Sequence, residues 1–190
     1  MEIRNQIIES IKIKEELLAD ENLTSQLAGA INIIADTCRN EGKVLFCGNG
    51  GSAADAQHLA AELSGRFYID RPPINAEALH VNSSFVTATA NDHSFDVIYE
   101  RMVHAIGKKD DILIAFSTSG KSRNIIRALK AGRAIGLKTI GFTGAHGEMM
   151  EGHCDLLFKI PSTDTPRIQE MHILLGHIIC ENVERILFKK

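Results

Sequence analysis

The 190-residue sequence predicts a doubly wound α/β fold, a mainly parallel sheet covered by helices on both faces. Two observations carry this expectation. Short apolar runs alternate along the chain with longer stretches whose apolar residues recur every three or four positions. Two of the runs, KVLFC at 43–47 and DILIAFS at 111–117, stop at glycine- or serine-rich turns that open helices. Ligands of such sheets bind beyond those strand ends. The length fits one domain over residues 1–190, with residues 1–40 as a helical extension packed on it or used in oligomerisation.

Each element follows from local pattern. Residues 3–19 place Ile3, Ile7, Ile8, Ile11 and Leu18 on one side of a helix. Residues 24–39 do the same with Leu27, Ile31, Ile34, Ala35 and Cys38, and Gly42 ends that region. After the strand at 43–47, the Ala-rich stretch 52–67 is helical. EALHV at 77–81 and VTATAN at 86–91 read as strands, the latter placing Asn91 and Asp92 at a strand end, and 94–106 reads as a helix. Residues 111–117 form the clearest buried strand, and 122–136 a helix closed by Gly136. LKTIGFTG at 137–144 and CDLLFKIP at 154–161 are strands, and 165–188 is a long final helix with Pro166 in its first turn.

Composition excludes several classes. The net charge is −3, no basic run occurs and aromatics are 5%, which argues against nucleic acid as the main ligand. No apolar run approaches the ~20 residues of a membrane span. The N-terminus mixes charges with isoleucine and does not read as a signal peptide, so a cytoplasmic protein is expected. Cys38, Cys47, Cys154 and Cys180 lie far apart and form no CxxC pair, which predicts reduced thiols.

The first turn reads Cys47-Gly48-Asn49-Gly50-Gly51-Ser52-Ala53. Its glycines let backbone approach a ligand at the positive end of the following helix. Gly48-x-Gly50-x-x-Ala53 also satisfies a dinucleotide fingerprint, but the next strand lacks the terminal acid that would bind a ribose, so no nucleotide cofactor is expected. The second turn, Ser117-Thr118-Ser119-Gly120-Lys121-Ser122, has GKS without the earlier glycine of a P-loop, since that position is Ala115. Four hydroxyls and free N–H groups at a helix start suit a phosphate monoester.

Four further residues can carry chemistry. His58 and Glu62 are four apart on one helix and share a face. Gln169 and His177 are eight apart on the last helix, rotated by only about 80°, and can look into one cavity. Together they make a nitrogen/oxygen set compatible with zinc or another divalent ion. His172 lies off that face and reads as structural, and Asp92 is placed to bind a sugar hydroxyl.

The segments GNGGSAADAQHLAAELSGRF (48–67), ATANDHSFD (88–96), FSTSGKSRNI (116–125) and TPRIQEMHILLGHIICENVE (165–184) resemble the sedoheptulose 7-phosphate isomerases, or phosphoheptose isomerases, of the sugar-isomerase (SIS) domain proteins. The resemblance implies a five-stranded, flavodoxin-like SIS fold. It also implies an aldose–ketose isomerase that converts sedoheptulose 7-phosphate to D-glycero-D-manno-heptose 7-phosphate, the first step toward activated heptose for lipopolysaccharide or related glycans. It implies a homotetramer with active sites between subunits and one zinc per subunit on His58, Glu62, Gln169 and His177. Phosphate would sit on Ser117, Thr118, Ser119 and Ser122, and Asn49, Gly50, Gly51, Ser52, Asn91 and Asp92 would contact the sugar or shape its site. Such a reaction passes through a cis-enediol and needs one base for carbon and one acid/base for oxygen; Glu62 and His177 fit those tasks. The alternatives are a non-enzymatic SIS regulator that binds the replication initiator, a relative that lacks the equivalents of Glu62 and His177, and an isomerase of another sugar phosphate.

Overall fold

The computed structural model describes residues 2–188. Five strands, β1 (Val44–Cys47), β2 (Ala76–Ala78), β3 (Ile112–Ser117), β4 (Lys138–Thr143) and β5 (Leu156–Lys159), form one sheet in the order β2-β1-β3-β4-β5. Every neighbouring pair is parallel. The helices are α1 (Ile3–Ala19), α2 (Glu21–Arg39), α3 (Gly51–Ser64), α4 (Ser83–Asp92), α5 (Ile98–Ile106), α6 (Arg123–Ala134), the short α7 (Glu148–Glu151) and α8 (Thr165–Phe188), with a 3-10 turn at Phe95–Val97.

Strand alternation divides the core into two layers. Val44, Phe46, Ile112, Ile114 and Phe116 point to one face, where α2, α3 and α8 supply Ile34, Leu59, Leu63, Leu175 and Ile179. Leu45, Cys47, Leu113 and Ala115 point to the other, against Tyr99, Val103, Ile125 and Leu129 of α5 and α6. All six residues of β3 are buried, as a central parallel strand requires. β1 continues into α3 on the first face and β3 into α6 on the second. The crevice between their two turns is therefore the switch point of the sheet.

Two expectations need correction. Residues 86–91 belong to α4, not to a strand. Asn82 caps this helix, its Oδ1 accepting from Phe85 N at 3.0 Å, and Val86 and Ala90, four apart, pack on the second layer. That contact outweighs the strand preference of the Val-Thr pair. Asn91 and Asp92 thus end a helix. The strand expected at 77–81 covers only 76–78, and His80 lies in the turn beyond it. The isoleucine face of α1 is uncovered in the single chain, as an extension used in oligomerisation would be: Ile3 and Ile7 are each 57% exposed and Ile11 is 46% exposed, while Ile13 and Leu17 make the helix's buried contacts.

Candidate active site

α3 and α8 lie side by side on the first face of the sheet and present His58, Glu62 and His177 to one another. Their spacing on the two helices explains the convergence. His58 and Glu62 are one turn apart, and His58 Nε2 is 3.0 Å from Glu62 Oε1. His177 Nε2 lies 3.3 Å from His58 Nε2, and the two rings meet edge to face. The donor atoms of all three residues lie within 4.8 Å of one another. Two imidazole nitrogens and a carboxylate oxygen aimed at one point form a set that suits a divalent ion of the zinc type. Burial, and then the neighbouring His58, push the pKa of His177 below its ordinary value, against the opposite pull of Glu62. Its ring is therefore neutral at pH 7 and keeps a lone pair for a ligand or a proton. Glu62 Oε2 makes no hydrogen bond among the described residues. Half of the His58 side chain is exposed, so the cluster opens to solvent.

Gln169, also expected at the site, reaches the glycine turn from α8. Its amide packs on the glycine turn, with Nε2 3.5 Å from Ser52 Oγ. A Cβ on Gly51 would come 2.5 Å from that nitrogen, so glycine at 51 makes room for the amide. Ser52 itself is buried. Gly50 has φ +56°, the left-handed conformation that turns the chain into α3. Tyr99, buried on the opposite face, donates its hydroxyl to the Gly48 carbonyl and fixes the start of this turn.

The serine turn is organised differently from an ordinary helix cap. Ser122 stands at the N-cap of α6, yet its side chain makes no capping bond; Ser117 Oγ donates to Ser122 Oγ at 3.0 Å. Lys121 N donates to Ser119 Oγ at 3.2 Å. Gly120 has φ +65°, and a Cβ there would strike the His146 carbonyl and reach within 3.0 Å of Thr143 Oγ1. The result is a tight loop of hydroxyls at the positive end of a helix.

Sequence reasoning missed the residue that joins the two turns. Asn49 and Asn124 exchange amide hydrogen bonds of 2.9 and 2.8 Å across the switch point. Asn124 is buried, and a buried Asn in the first turn of a helix after a ligand loop is the signal that could have found it. Asp55, on α3 between the glycine turn and His58, was also passed over. Burial raises its pKa to about 6 against the opposing effect of His58, and its Oδ2 is buried without a partner among the described residues. Asn91 and Asp92 are exposed and bond to each other, Asn91 Nδ2 to Asp92 Oδ1 at 2.9 Å. His172 is structural, as read: it is fully buried, Nε2 is 3.3 Å from the Thr143 carbonyl, and burial lowers its pKa to about 4 despite that bond. All four cysteines are free. A cleft of about 540 Å³ lies at the other end of the strands around Thr37, Asp110 and Lys138 and contains none of these groups.

Comparison with known proteins places this geometry in context. The profile of the SIS domain family matches residues 9–144. The chain is 47% identical over 186 residues to a phosphoheptose isomerase of Clostridium acetobutylicum, covering 98% of this chain and 95% of that one. It is 47% identical over 188 residues to phosphoheptose isomerase 2 of Campylobacter jejuni, covering 99% and 94%. Among solved structures, a phosphoheptose isomerase from Francisella tularensis superposes with a TM-score of 0.92 at 34% identity, and one from Neisseria gonorrhoeae with 0.89 at 38%. Each covers 96% of both chains.

Proposed function

The chain belongs to the SIS domain family, among the phosphoheptose isomerases, and on that premise we infer that it is an aldose–ketose isomerase converting sedoheptulose 7-phosphate to D-glycero-D-manno-heptose 7-phosphate. The observation that carries the reading is the convergence of His58, Glu62 and His177 on two helices bordering the switch point of the sheet.

The chemistry follows from those side chains. Glu62 is the base for carbon: its free Oε2 takes the proton from one of C1 and C2 and returns it to the other through a cis-enediol. His177, held neutral, moves the accompanying proton between O1 and O2. The serine turn takes the phosphate through Ser117, Thr118, Ser119 and Ser122 and the N–H groups opening α6, which fixes one end of the substrate. Asn49, Gly50, Gly51 and Ser52 shape the sugar site, and the Asn49–Asn124 exchange keeps the two turns in register. Asn91 and Asp92, from the end of α4, contact sugar hydroxyls.

Zinc fits the donor set: His58, Glu62 and His177 would hold one ion per subunit, with Gln169 as a fourth ligand. Bound there, zinc would polarise the substrate oxygens. The uncovered isoleucines of α1 support a homotetramer in which that face meets a second copy, with active sites at subunit interfaces. The whole chain acts as one SIS domain in the cytoplasm, and no helix of the described residues is long and apolar enough to cross a membrane.

A panel assay tests the function. Zinc-loaded protein is offered sedoheptulose 7-phosphate, fructose 6-phosphate and ribulose 5-phosphate. Turnover of the heptulose phosphate with at least about tenfold preference, a 1.4 kcal/mol discrimination, is expected. Preference for a shorter sugar would replace the substrate, and no turnover of any would favour a non-enzymatic SIS regulator.

A further inference from the structure

Arg71 and Glu184 form an ion pair, Arg71 Nε to Glu184 Oε2 at 3.0 Å, with each side chain 1% exposed. A pair buried this deeply persists only when its remaining donors and acceptors are matched. Glu184 Oε2 also accepts from Phe67 N at 2.9 Å, and Oε1 accepts from Tyr68 N at 2.7 Å and Ile69 N at 2.9 Å. Burial alone would raise the Glu184 pKa, but these bonds and the guanidinium outweigh it and keep the group ionised. Arg71 spends its other donors on carbonyls: Nη1 on Leu63 at 2.7 Å and on Gly65 and Pro72 at 3.1 Å, and Nη2 on Glu62 at 3.0 Å. The carbonyls of Glu62 and Leu63 are among those that α3, ending at Ser64, leaves without partners inside the helix.

The two elements joined in this way carry the two proton-transfer groups. Glu62 sits in the last turn of α3. Glu184 is seven residues beyond His177 on α8, close to the same face of that helix. Phe67, whose N–H Glu184 holds, sets its ring 5.7 Å from that of His177. We propose that the Arg71–Glu184 pair is a positioning device for the reaction: it pins the end of α3 and the segment after it to α8 and thereby sets the distance between Glu62 and His177. The claim rests on the roles assigned to Glu62 and His177 above.

Glu184→Gln keeps the size of the side chain but removes its charge; Arg71→Lys keeps charge and removes the fork. Both are compared with wild type for kcat, KM and zinc affinity by chelator competition, well below each variant's Tm. Positioning predicts that kcat and zinc affinity each fall by about 10–100-fold, the range of groups that orient a metal's ligands, while KM stays within about twofold because the serine turn is untouched. Wild-type kcat and zinc affinity in folded variants would overturn it, as would a rise in KM at unchanged kcat. If Glu184→Gln does not fold, Arg71→Lys decides on the same readouts. Glu62→Gln separates the two claims: wild-type turnover there sinks the proton-transfer reading, and the zinc affinity of Glu184→Gln then decides the positioning claim alone.

Discussion

Gly176 lies in the interior of α8, next to His177, and the helix spacing at this point can be tested with one methyl group. By helix propensity alone, Gly176→Ala should stabilise by about 1 kcal/mol. The packing opposes this. The added Cβ would lie 2.7 Å from Leu59 Cδ2 and 3.1 Å from Leu59 Cγ, where ordinary carbon contacts are about 3.5–4.0 Å. Leu59 is 2% exposed, and the small apolar void that it and Gly176 line, about 10 Å³, gives it little room to swing aside, so α3 and α8 should separate by up to about 1 Å. Overpacking of this kind costs about 1–3 kcal/mol. The net loss is roughly 0–2 kcal/mol, which lowers Tm by up to about 8 °C for a chain of this length. The functional loss is larger, because a displacement of about 1 Å between Glu62 and His177 costs on the order of 10²-fold in kcat. Gly29→Ala in α2 is the control: nothing lies within 4 Å of the new Cβ, so Tm should rise by about 2–4 °C with unchanged turnover. Differential scanning calorimetry and initial rates measure both. A Gly176→Ala enzyme as active as wild type would refute the claim that the α3–α8 spacing sets the chemistry.

Three other outcomes follow from the site. Ser122→Ala removes one hydroxyl from the phosphate turn and the partner of Ser117 Oγ; KM should rise by about 10–100-fold, the equivalent of about 1.5–3 kcal/mol for a bond to a charged group, with kcat changed much less, as initial rates will show. The folded pKa of His172, about 4, lies below the ordinary histidine value of 6.5, so the unfolded chain binds the extra proton between them. Stability is then full above about pH 6.5 and declines toward pH 4 by about 3 kcal/mol, at 1.36 kcal/mol per pKa unit, and His172→Gln should flatten that part of the Tm–pH curve. Removing metal with a chelator should lower both turnover and Tm, with recovery on adding zinc; a Tm unaffected by either treatment would argue against an ion on His58, Glu62 and His177.

The parts of this fold that could be read directly from sequence are those whose side chains answer to one layer. β1, β3, β4 and α8 carry uninterrupted or strictly periodic apolar residues, and their ends agree with the expectation to within a residue or two. α4 was misread because Val86, Thr87 and Thr89 favour strands locally, and its identity rests on the Asn82 cap and on packing by Val86 and Ala90 that only the tertiary structure supplies. The short α7 carries no period long enough to detect. In the site, the four-residue spacing of His58 and Glu62 and the eight-residue spacing of Gln169 and His177 predicted two shared faces, and His58, Glu62 and His177 do converge. The Gln169 amide packs against Ser52, in the slot left by the absence of a side chain at Gly51. Asn124 and Tyr99 escaped notice for the opposite reason: each acts across the sheet's switch point or from its far face, and no local pattern links them to the glycine turn.

The central claim, that Glu62 moves the carbon-bound proton, is tested most directly in deuterated water. Zinc-loaded wild type and Glu62→Gln are incubated with sedoheptulose 7-phosphate, and proton NMR follows the appearance of heptose 7-phosphate and the deuterium content at C2. Wild type should form product carrying solvent deuterium at C2, and Glu62→Gln should be slower by about 10²–10⁴-fold, the usual contribution of a positioned acid or base. Product formation by Glu62→Gln at the wild-type rate would contradict the account and move the base to another group.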